Sequence, residues 1–398
     1  MILKYLNYFL NGKTNGVFQL ESSGFKQMMR DLKPDCLEDI IVMLSLYRPG
    51  PMDQIPRYIK NKNNLDNIEY THIALEPILK VTNGCMVYQE QVMQIFRDLA
   101  GYSFGRADLV RRAMGKKKLD VMNKEREIFV SGAFKNNIDN ISANKIFDEM
   151  AEFAKYAFNK SHAAAYAVIS YQTAYLKTYY KSEFMAAIMN SFLGDITKTS
   201  EYIEECKQMG IKVLKPDINS SDVLFTVVDN DIRFALKSIK NMSILSIESI
   251  IDNREKNGKY LSFVNFLERI VGDTLNKKAV ECLIKVGAFD LLEKNLTRQD
   301  LLENYEDIID SISKKNKTNY EGQFSFFEDN KDISIVINKS NKILTDKEIL
   351  DMEKEMTGVY ISGHPLDEYS DYILNNSSIT TKDLEYDNDT VNYDNKTV

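Results

Sequence analysis

Residues 156–177 of the chain read YAFNKSHAAAYAVISYQTAYLK. Alanine and tyrosine dominate this stretch, and alanine has the highest helix propensity of the amino acids. Ser161 stands where its hydroxyl can accept a hydrogen bond from an amide of a first helical turn. The stretch therefore predicts a long helix over Ser161–Tyr180, with Ser161 as its N-cap.

Helical patterns continue on the N-terminal side of this stretch. Leu37–Tyr47 is an apolar helix that must end at Arg48–Met52, because two prolines and a glycine cannot continue it. Met86–Leu99 has apolar residues at helical spacing and Gly101 as its stop, and Ile141–Phe158 repeats the pattern. We expect the chain to be mainly helical up to about residue 195.

The pattern changes after that point. Ile211–Leu214 is strand-like, and Val223–Asp229 and Ile232–Leu236 are rich in strand-forming residues separated by a polar turn, which predicts a hairpin. Helical periods return over residues 236–253 and 263–287. The expected fold class is therefore mainly α with a small β element (α+β).

The composition is that of a globular protein. The chain has 398 residues, of which 44% are hydrophobic and 27% charged, and its length suggests two to three domains. It contains no run of about 18 apolar residues, and Met1–Leu10 lacks the features of a signal peptide. Its four cysteines and three histidines are scattered, which argues for reduced thiols and against a zinc site. We expect a cytoplasmic protein that does not bind a membrane.

Charge is divided unevenly along the chain. Residues 1–200 hold 26 Lys/Arg against 21 Asp/Glu, whereas residues 201–398 hold 25 against 37. The densest basic stretch, Arg106–Lys118, has six cations and one carboxylate. It indicates either an anion-binding surface or a solvated helix face, and charge alone does not separate the two.

Three stretches of the first half carry features of a phosphate-binding surface. Arg48 stands on a stiff loop of prolines and a glycine, Leu109–Lys118 (LVRRAMGKKK) concentrates cations, and Lys160 and His162 stand at a helix start. Free amides at a helix N-terminus and arginine forks both favour phosphate. The stretches predict a polyphosphate or nucleic-acid surface; the alternative is a solvated basic face beside a capped alanine-rich helix.

Five motifs carry a resemblance to a known family: GVFQLESSGF (16–25), LYRPGPM (46–52), VYQEQVMQI (87–95), LVRRAMGKKK (109–118) and YAFNKSHAAAYAVISYQTAYLK (156–177). Residues 14–195 resemble the fingers domain of the alpha subunit of bacterial DNA polymerase III, a C-family replicative polymerase. Three later stretches resemble the region after the fingers: KQMGIKVLKPDIN (207–219), VGAFD (286–290) and TGVYISGHPLDEY (357–369). The resemblance implies a helical fingers domain followed by a helix-hairpin-helix-like region.

The resemblance also implies site residues that contact deoxynucleoside triphosphate and primer-template DNA. Arg111 and Arg112 match the arginine pair expected near the triphosphate, and Lys160 and His162 match the stretch expected to line the nucleotide pocket. Three further residues help there or hold template phosphates: Lys116, Lys117 and Lys118. Arg48 lies in a motif near the pocket. Gln89 lies in a motif near the pocket, with helix-surface polarity as its alternative.

The family reaction is template-directed addition of deoxynucleotides to a primer 3′ end, with Mg²⁺ held by palm-domain aspartates. Those aspartates precede the fingers in the family, and this chain is expected to start too late to contain them. Asp229-Asn230-Asp231 is better explained as a hairpin turn, and Asp387-Asn388-Asp389 lies in a polar tail. We therefore expect a fragment or split reading frame, inactive alone, with no catalytic or metal-binding residues.

Residues 236–253 occupy the place of a helix-hairpin-helix. That motif normally has hairpin glycines whose amides approach DNA phosphates closely, but here the hairpin is Lys240-Asn241-Met242-Ser243. The stretch indicates either a DNA-binding hairpin or a purely structural helix pair.

Gln323-Phe324-Ser325-Phe326-Phe327 lies in a polar segment and resembles the internal peptide by which this subunit binds the sliding clamp. Gln323, Phe326 and Phe327 would be the anchors, because adjacent aromatics in a polar linker suit a hydrophobic pocket on a partner. The alternative is that both aromatics pack on the protein's own surface.

These features predict an order of segments: 1–13 unmatched, 14–195 fingers, 196–295 a small α/β element with a helix-hairpin-helix-like region, 296–350 a linker with the clamp peptide, 351–378 the start of a following domain, and 379–398 a frayed tail. The favoured function is a fragment of the replicative polymerase that works with the clamp and other replicase subunits. The alternatives are a non-catalytic DNA- and clamp-binding protein and a decayed product without a stable fold.

Overall fold

The structure is a computed structural model, and it describes residues 12–116, 119–270, 275–320 and 336–377. Contacts within the chain divide it into two units, Met1–Tyr179 and Tyr180–Val398. Most described residues are helical, and one small sheet is present. The expectation of a mainly α protein with a small β element is confirmed. Within the described ranges, no helix combines the length and apolar character that crossing a bilayer requires.

The first unit is helical. Its helices are α1 (Ser23–Leu32), α2 (Leu37–Leu46), α3 (Ile55–Lys62), α4 (Glu76–Leu79), α5 (Gln89–Ala100), α6 (Phe104–Gly115), α7 (Leu119–Lys135), α8 (Asn140–Phe153) and α9 (Lys160–Tyr179). Side chains before several of them accept a hydrogen bond from the first turn, as Ser103 does for α6 and Asp139 for α8. Helix α5 ends at Gly101, whose φ of 74° is readily adopted only by glycine.

Two apolar cores hold the first unit together. In one, Ala163, Ala167 and Ala174 of α9 lie against α1 and α2, where small side chains allow a close helix approach. The other surrounds Phe96 of α5, whose ring meets the ring of Phe129 edge-on at 5.4 Å between centroids. Pairs of this geometry add about 1 kcal/mol to the stabilisation from burial.

The second unit begins with two helices and the sheet. Helices α10 (Lys181–Ser191) and α11 (Ile196–Gln208) precede β1 (Val213–Leu214), β2 (Thr226–Val228) and β3 (Asp231–Arg233). The strand order is β1-β3-β2, with β1 parallel and β2 antiparallel to β3. Asp229 and Asn230 join β2 to β3 with φ of 52° and 71°, the geometry of a tight hairpin turn. The predicted hairpin and its polar turn are confirmed.

The remaining helices of the second unit are α12 (Ile244–Asn257), α13 (Phe263–Ile270), α14 (Lys277–Lys285), α15 (Arg298–Tyr320), α16 (Asp346–Thr357) and α17 (Ser370–Asn376). The common core of α12 to α16 includes Phe263, Phe266 and Leu283, each fully buried.

Three expectations differ from the structure. Helix α9 begins at Lys160, one residue before the expected start, and its cap is Asn159, whose Oδ1 accepts the amide of His162 at 2.9 Å. The expected linker over 296–350 contains α15, because Tyr305 and Ile308 belong to a face that packs into the core. The division of the chain by contacts falls between Tyr179 and Tyr180, before the domain boundary expected at residue 195.

The segment 351–378 is likewise not separate from the residues before the linker. Met356 of α16 packs into the core of α12–α15, and the buried carboxylate of Glu353 accepts a hydrogen bond from Arg298 at 3.0 Å. These tertiary contacts, which local sequence does not reveal, join the two segments.

Candidate functional site

The connection between α8 and α9, residues 154–159, is the centre of the candidate site in the first unit. We call these residues the connector. The guanidinium of Arg48 donates a hydrogen bond to the carbonyl of Tyr156 and lies 4.2 Å above the ring of Phe158. The side-chain amide of Gln89 donates to the carbonyl of Ala157 at 2.8 Å. Residues far apart in sequence therefore meet on one short segment.

Arg48 is held by the loop that ends α2. Gly50 in this loop has a φ of 101°, and a Cβ atom there would lie 2.4 Å from the ring of Tyr156. Only glycine fits this position. Burial lowers the pKa of Arg48, and its buried Nε has no hydrogen-bond partner among the described residues. A buried donor without a partner is an exception in folded proteins.

The N-terminus of α9 is already paired with a carboxylate. Glu90 accepts hydrogen bonds from the amide of Lys160, at 3.1 Å to one oxygen and 3.3 Å to the other, and from the side chain of Asn159 at 3.0 Å. A negative charge at this end of a helix is favourable. The interpretation of this helix start as an open phosphate site therefore needs revision, because Glu90 lies where the phosphate was expected.

The Lys160 side chain also has an acidic partner. Its Nζ lies 2.8 Å from a carboxylate oxygen of Glu38 and 5.0 Å from the ring centre of Tyr88. Tyr88 donates its hydroxyl to the same carboxylate at 3.0 Å, and burial together with Glu38 raises the pKa of Tyr88. Lys160 is only partly exposed, so an incoming phosphate would compete with Glu38 for it.

His162 is the exposed member of this group. Its ring lies 5.5 Å from the ring of Phe158 and 4.4 Å from the ring of Tyr166, between ring centres. Phe158 thus contacts both His162 and Arg48. The three rings form a partly exposed aromatic surface beside two cations, a combination suited to a nucleotide base and its phosphates.

The arginine pair lies on α6. Asp108 bonds to both members, at 2.7 Å to Arg111 and 2.8 Å to Arg112. The hydrogen bond from Arg111 holds the pKa of Asp108 below its usual value. Arg112 remains 65% exposed whereas Arg111 is 14% exposed, so Arg112 is the more accessible to a ligand. Lys116 is exposed at the end of α6, and Lys117 and Lys118 lie outside the described residues.

The structure brings four predicted residues to the connector or to the helix start that follows it: Arg48, Gln89, Lys160 and His162. Helix α6 approaches the same segment, since a Cβ atom on Gly115 would lie 3.3 Å from the carbonyl of Ala154. Among the described residues, however, no hydrogen bond or ion pair joins Arg111 or Arg112 to those four.

The acidic partners are the residues that sequence reasoning missed. Glu38, Glu90 and Asp108 each contact a predicted cation or the backbone beside it. Asp108 precedes Arg111 and Arg112 by three and four positions, a spacing that predicts ion pairs on a helix. No comparable local signal links Lys160 to Glu38 or Glu90, because those pairings are formed by the fold.

The described residues do not form a site that fits Mg²⁺. One group of three possible ligands lies together, Asp35, Cys36 and Asp39, at the start of α2. Lys62 forms ion pairs with both carboxylates of this group. Burial opposes ionisation of Asp39, but the hydrogen bonds from Lys62, the amide of Asp35 and Cys36 and the charge of Lys62 together outweigh it, so the pKa of Asp39 is lowered. Magnesium prefers oxygen ligands alone, so this group, with its thiol and ammonium, is a structural cluster.

The turn expected to be the hairpin of the helix-hairpin-helix, Lys240-Asn241-Met242-Ser243, has an asparagine that can take the place of glycine. Asn241 has a φ of 60°, a conformation that asparagine adopts more readily than most residues. The amide of Lys240 donates to the carbonyl of Met356 at 2.9 Å, so one donor of the hairpin is already used. The space beside Gly287, in the turn after α14, is filled by a side chain, since a Cβ atom there would lie 2.2 Å from the guanidinium of Arg298.

The expected clamp peptide, with Gln323, Phe326 and Phe327, lies outside the described residues, as does the polar tail from residue 378 onward.

Comparison with known proteins gives two family matches. Residues 4–137 match the bacterial DNA polymerase III alpha subunit finger domain, and residues 210–301 match a helix-hairpin-helix motif. The first match includes Arg48, Gln89 and the α6 cations but ends before Lys160.

Relatives named DNA polymerase III subunit alpha match nearly the whole chain. That of Borreliella burgdorferi is 45% identical over 381 residues, which are 95% of this chain and 33% of the relative. That of Chlamydia muridarum is 45% identical over 94% of this chain and 30% of the relative, and that of Thermus aquaticus is 43% identical over 90% and 29%. The chain thus spans about a third of the length of the curated relatives it matches.

Proposed function

This chain belongs to the bacterial DNA polymerase III alpha subunit family, and we propose that it supplies the nucleotide- and DNA-binding fingers for template-directed DNA synthesis. The observation that carries the proposal is 45% identity to such a subunit over 95% of the chain. The substrates would be primer-template DNA and deoxynucleoside triphosphates.

In this proposal the connector organises the nucleotide site. The guanidinium of Arg48, held at the connector by the carbonyl of Tyr156, would donate to a phosphate oxygen. His162, whose ring lies between the rings of Phe158 and Tyr166, would lie beside the base or sugar. Lys160 would exchange Glu38 for the triphosphate. Contacts of this kind bind and position the substrate without selecting a sequence.

Helix α6 would hold a second set of phosphates. Arg112 is exposed and shares Asp108 with Arg111, so both guanidinium groups are already oriented on one helix face. Arginine in this arrangement binds phosphate with two parallel hydrogen bonds. The neighbouring lysines, Lys116, Lys117 and Lys118, would add positive charge beside the same phosphates.

The reaction is proposed to use Mg²⁺, which would stabilise the attacking and leaving oxygens of nucleotidyl transfer. The described residues offer no ligand set that fits this ion, so this chain's proposed part is to bind and orient the substrates. A cytoplasmic location and association with other replicase subunits complete the proposal.

We further propose that Gln323, Phe326 and Phe327 bind the sliding clamp. A glutamine followed at three and four positions by aromatics offers two large apolar anchors and one polar contact. Binding there would keep the fingers close to DNA.

Primer extension by the purified chain tests the catalytic part of the proposal. With Mg²⁺ and all four deoxynucleotides, we expect no extension by the chain alone, while primer-template DNA is bound at low salt. Extension restored by adding a palm-bearing chain supports the replicative function. If DNA and clamp are bound and no added chain restores extension, the alternative of a non-catalytic DNA- and clamp-binding protein is favoured.

A further inference from the structure

A groove in the second unit is not used by the proposed polymerase function. It lies between α11, the outer edge of β1 and residues 358–364, and we call it the edge groove. Its volume is about 960 Å³, at the upper end of the range for ligand sites. Ile203, Ile211 and Val359 are among the residues that form its apolar surface.

One side of the edge groove is an unpaired strand edge. Strand β1 is the outermost strand of the sheet and pairs only with β3. The carbonyls of Lys212 and Leu214 accept the amides of Ile232 and Phe234, at 2.9 and 3.1 Å, and so point toward β3. Because backbone groups alternate along a strand, the amide and carbonyl of Val213 point to the other side, where an extended peptide can bond to them.

The opposite side is held firmly in place. The amides of Ile361 and Ser362 donate to Glu353 at 3.3 and 2.9 Å, and Glu353 is fully buried. Glu353 is itself bonded to Arg298. These bonds turn the backbone of residues 361 and 362 toward Glu353, away from pairing with β1. The edge groove is therefore kept open by a buried polar network, and binding need not reorganise it.

Lysines surround the opening, although this half of the chain is acidic. The lysines that line it are Lys207, Lys212, Lys215 and Lys354, and the acidic residues that line it are Glu204 and Asp367. Among the described residues, neither Lys212 nor Lys354 forms an ion pair; the ammonium of Lys354 lies 4.6 Å from the ring centre of Tyr360. An apolar floor with a cationic rim complements a segment that alternates apolar and acidic residues.

We propose that the edge groove binds an extended acidic peptide segment of a protein partner, which adds a strand to β1. The peptide backbone would bond to Val213, its apolar side chains would enter the floor, and its carboxylates would meet Lys212 and Lys354. Single-stranded nucleic acid would also satisfy the lysines. It would leave the β1 edge unpaired, and the described lining of the groove offers two ring side chains, Tyr360 and His364.

The test uses the full chain and a fluorescent synthetic peptide, acetyl-Asp-Leu-Glu-Val-Asp-Leu-Glu-amide. The double variant Lys212→Glu with Lys354→Glu is expected to weaken peptide binding about tenfold or more, because two attractive contacts become repulsive. The matched control is Lys259→Glu with Lys294→Glu, which makes the same charge change at exposed residues that do not line the groove. We expect the control to bind as the unchanged chain does.

Strand addition is tested separately from charge. The same peptide N-methylated at alternate residues keeps its carboxylates but loses the amides that would pair with β1, and it should bind at least about tenfold more weakly. The proposal is overturned if the N-methylated peptide binds equally well, if the control variant weakens binding as much, or if no peptide binding is seen. It is also overturned if a single-stranded DNA oligonucleotide alone binds and the groove variant abolishes that binding.

Discussion

The carboxylate of Glu90 accepts the backbone amide of Lys160, 70 positions further along the chain, at 3.1 Å. An acidic side chain therefore complements the start of the helix that was expected to hold phosphate. Any anion that binds there approaches a site with one negative charge already present. We expect this pairing to stabilise α9 without substrate and to lower the affinity of its N-terminus for a triphosphate.

Replacing Glu90 with glutamine tests this balance. Glu90→Gln keeps an acceptor oxygen but removes the charge, so α9 should lose about 0.3–1 kcal/mol of stabilisation. Affinity for a deoxynucleoside triphosphate should rise about three- to tenfold, because repulsion is removed. Urea unfolding and a binding titration measure the two effects. Glu152→Gln, an exposed carboxylate late in α8, is the control, and equal affinities of both variants would contradict the prediction.

The arginine pair of α6 should account for part of the salt dependence of DNA binding. Arg111→Ala with Arg112→Ala should weaken binding and reduce the slope of log affinity against log salt by about two, because two phosphates are no longer neutralised. Asp108→Asn should act in the opposite direction, because it releases both arginines from their carboxylate. Anisotropy titrations over a range of salt concentrations give the slope.

The control for this pair is Lys135→Ala with Lys145→Ala, exposed residues elsewhere in the first unit. It removes the same charge and should leave the slope unchanged. A slope that is the same in the arginine variant and in the unchanged chain would remove α6 from the proposed interface.

Alanine substitutions at Gly50 and Gly101 distinguish the cost of backbone strain from the cost of steric overlap. Both have positive φ, but a Cβ atom at Gly50 meets Tyr156 at 2.4 Å, whereas at Gly101 no atom lies within 4 Å. Gly101→Ala should lower the free energy of unfolding by about 1 kcal/mol, and Gly50→Ala by about 2–4 kcal/mol. Gly50→Ala should also weaken triphosphate binding, because displacing Tyr156 moves the carbonyl that Arg48 uses. Equal losses in denaturant unfolding would refute a steric role for Tyr156.

Asp290 should stabilise the second unit in a pH-dependent way. Burial raises its pKa, but the hydrogen bonds and charges of Arg298 and Lys215 together outweigh this and hold the pKa of Asp290 below its usual value. Such a carboxyl stabilises the fold above its unfolded pKa, near 3.9, and the stabilisation is lost as the pH falls through the folded pKa. Asp290→Asn should therefore lower the free energy of unfolding by about 1–3 kcal/mol at pH 7, and this difference should shrink below about pH 4.

The control for Asp290 is Asp310→Asn, which breaks an exposed ion pair with Lys277. It should lower the free energy of unfolding by less than about 1 kcal/mol. Denaturant unfolding at pH 7 and pH 3 measures both variants, and a difference for Asp290→Asn that is no smaller at pH 3 than at pH 7 would contradict its assigned charge state.

The clamp peptide offers a matched set of phenylalanines. Phe326→Ala with Phe327→Ala should abolish clamp binding without changing thermal unfolding, because both anchors are removed. Phe324→Ala removes a phenylalanine from a position where the motif is tolerant, so clamp binding should survive. Surface plasmon resonance on immobilised clamp gives the affinities. Loss of binding in the Phe324 variant would contradict the assignment of Phe326 and Phe327 as the anchors.

Sequence reasoning predicted features that local chemistry decides. The end of α2 at the proline-glycine loop, the stop of α5 at Gly101 and the polar turn at Asp229-Asn230 were predicted because proline, glycine and asparagine restrict or permit particular backbone angles. The same reasoning placed the cap of α9 at Ser161, whereas the cap in the structure is Asn159, two positions earlier and also a good capping residue.

Features that depend on distant contacts were not predicted. Lys160 and Glu38 are far apart in sequence, and only packing of α9 on α2 brings them within 2.8 Å. Residues 311–320 look like a polar linker, yet they continue a helix whose earlier turns bury Tyr305 and Ile308. Asp108 is the exception among the missed partners, because its spacing to Arg111 and Arg112 was available from the sequence.

The buried ammonium of Lys177 has a consequence for synthesis of the chain. It donates to the carbonyl of Asn15 at 2.8 Å across 162 positions, beside the alanines of α9 that complete the core of α1 and α2. A ribosome adding 5–20 residues per second needs roughly 8–30 s to make the intervening chain. During that time α1 and α2 expose apolar surface, so the first unit completes its folding only once α9 has been synthesised.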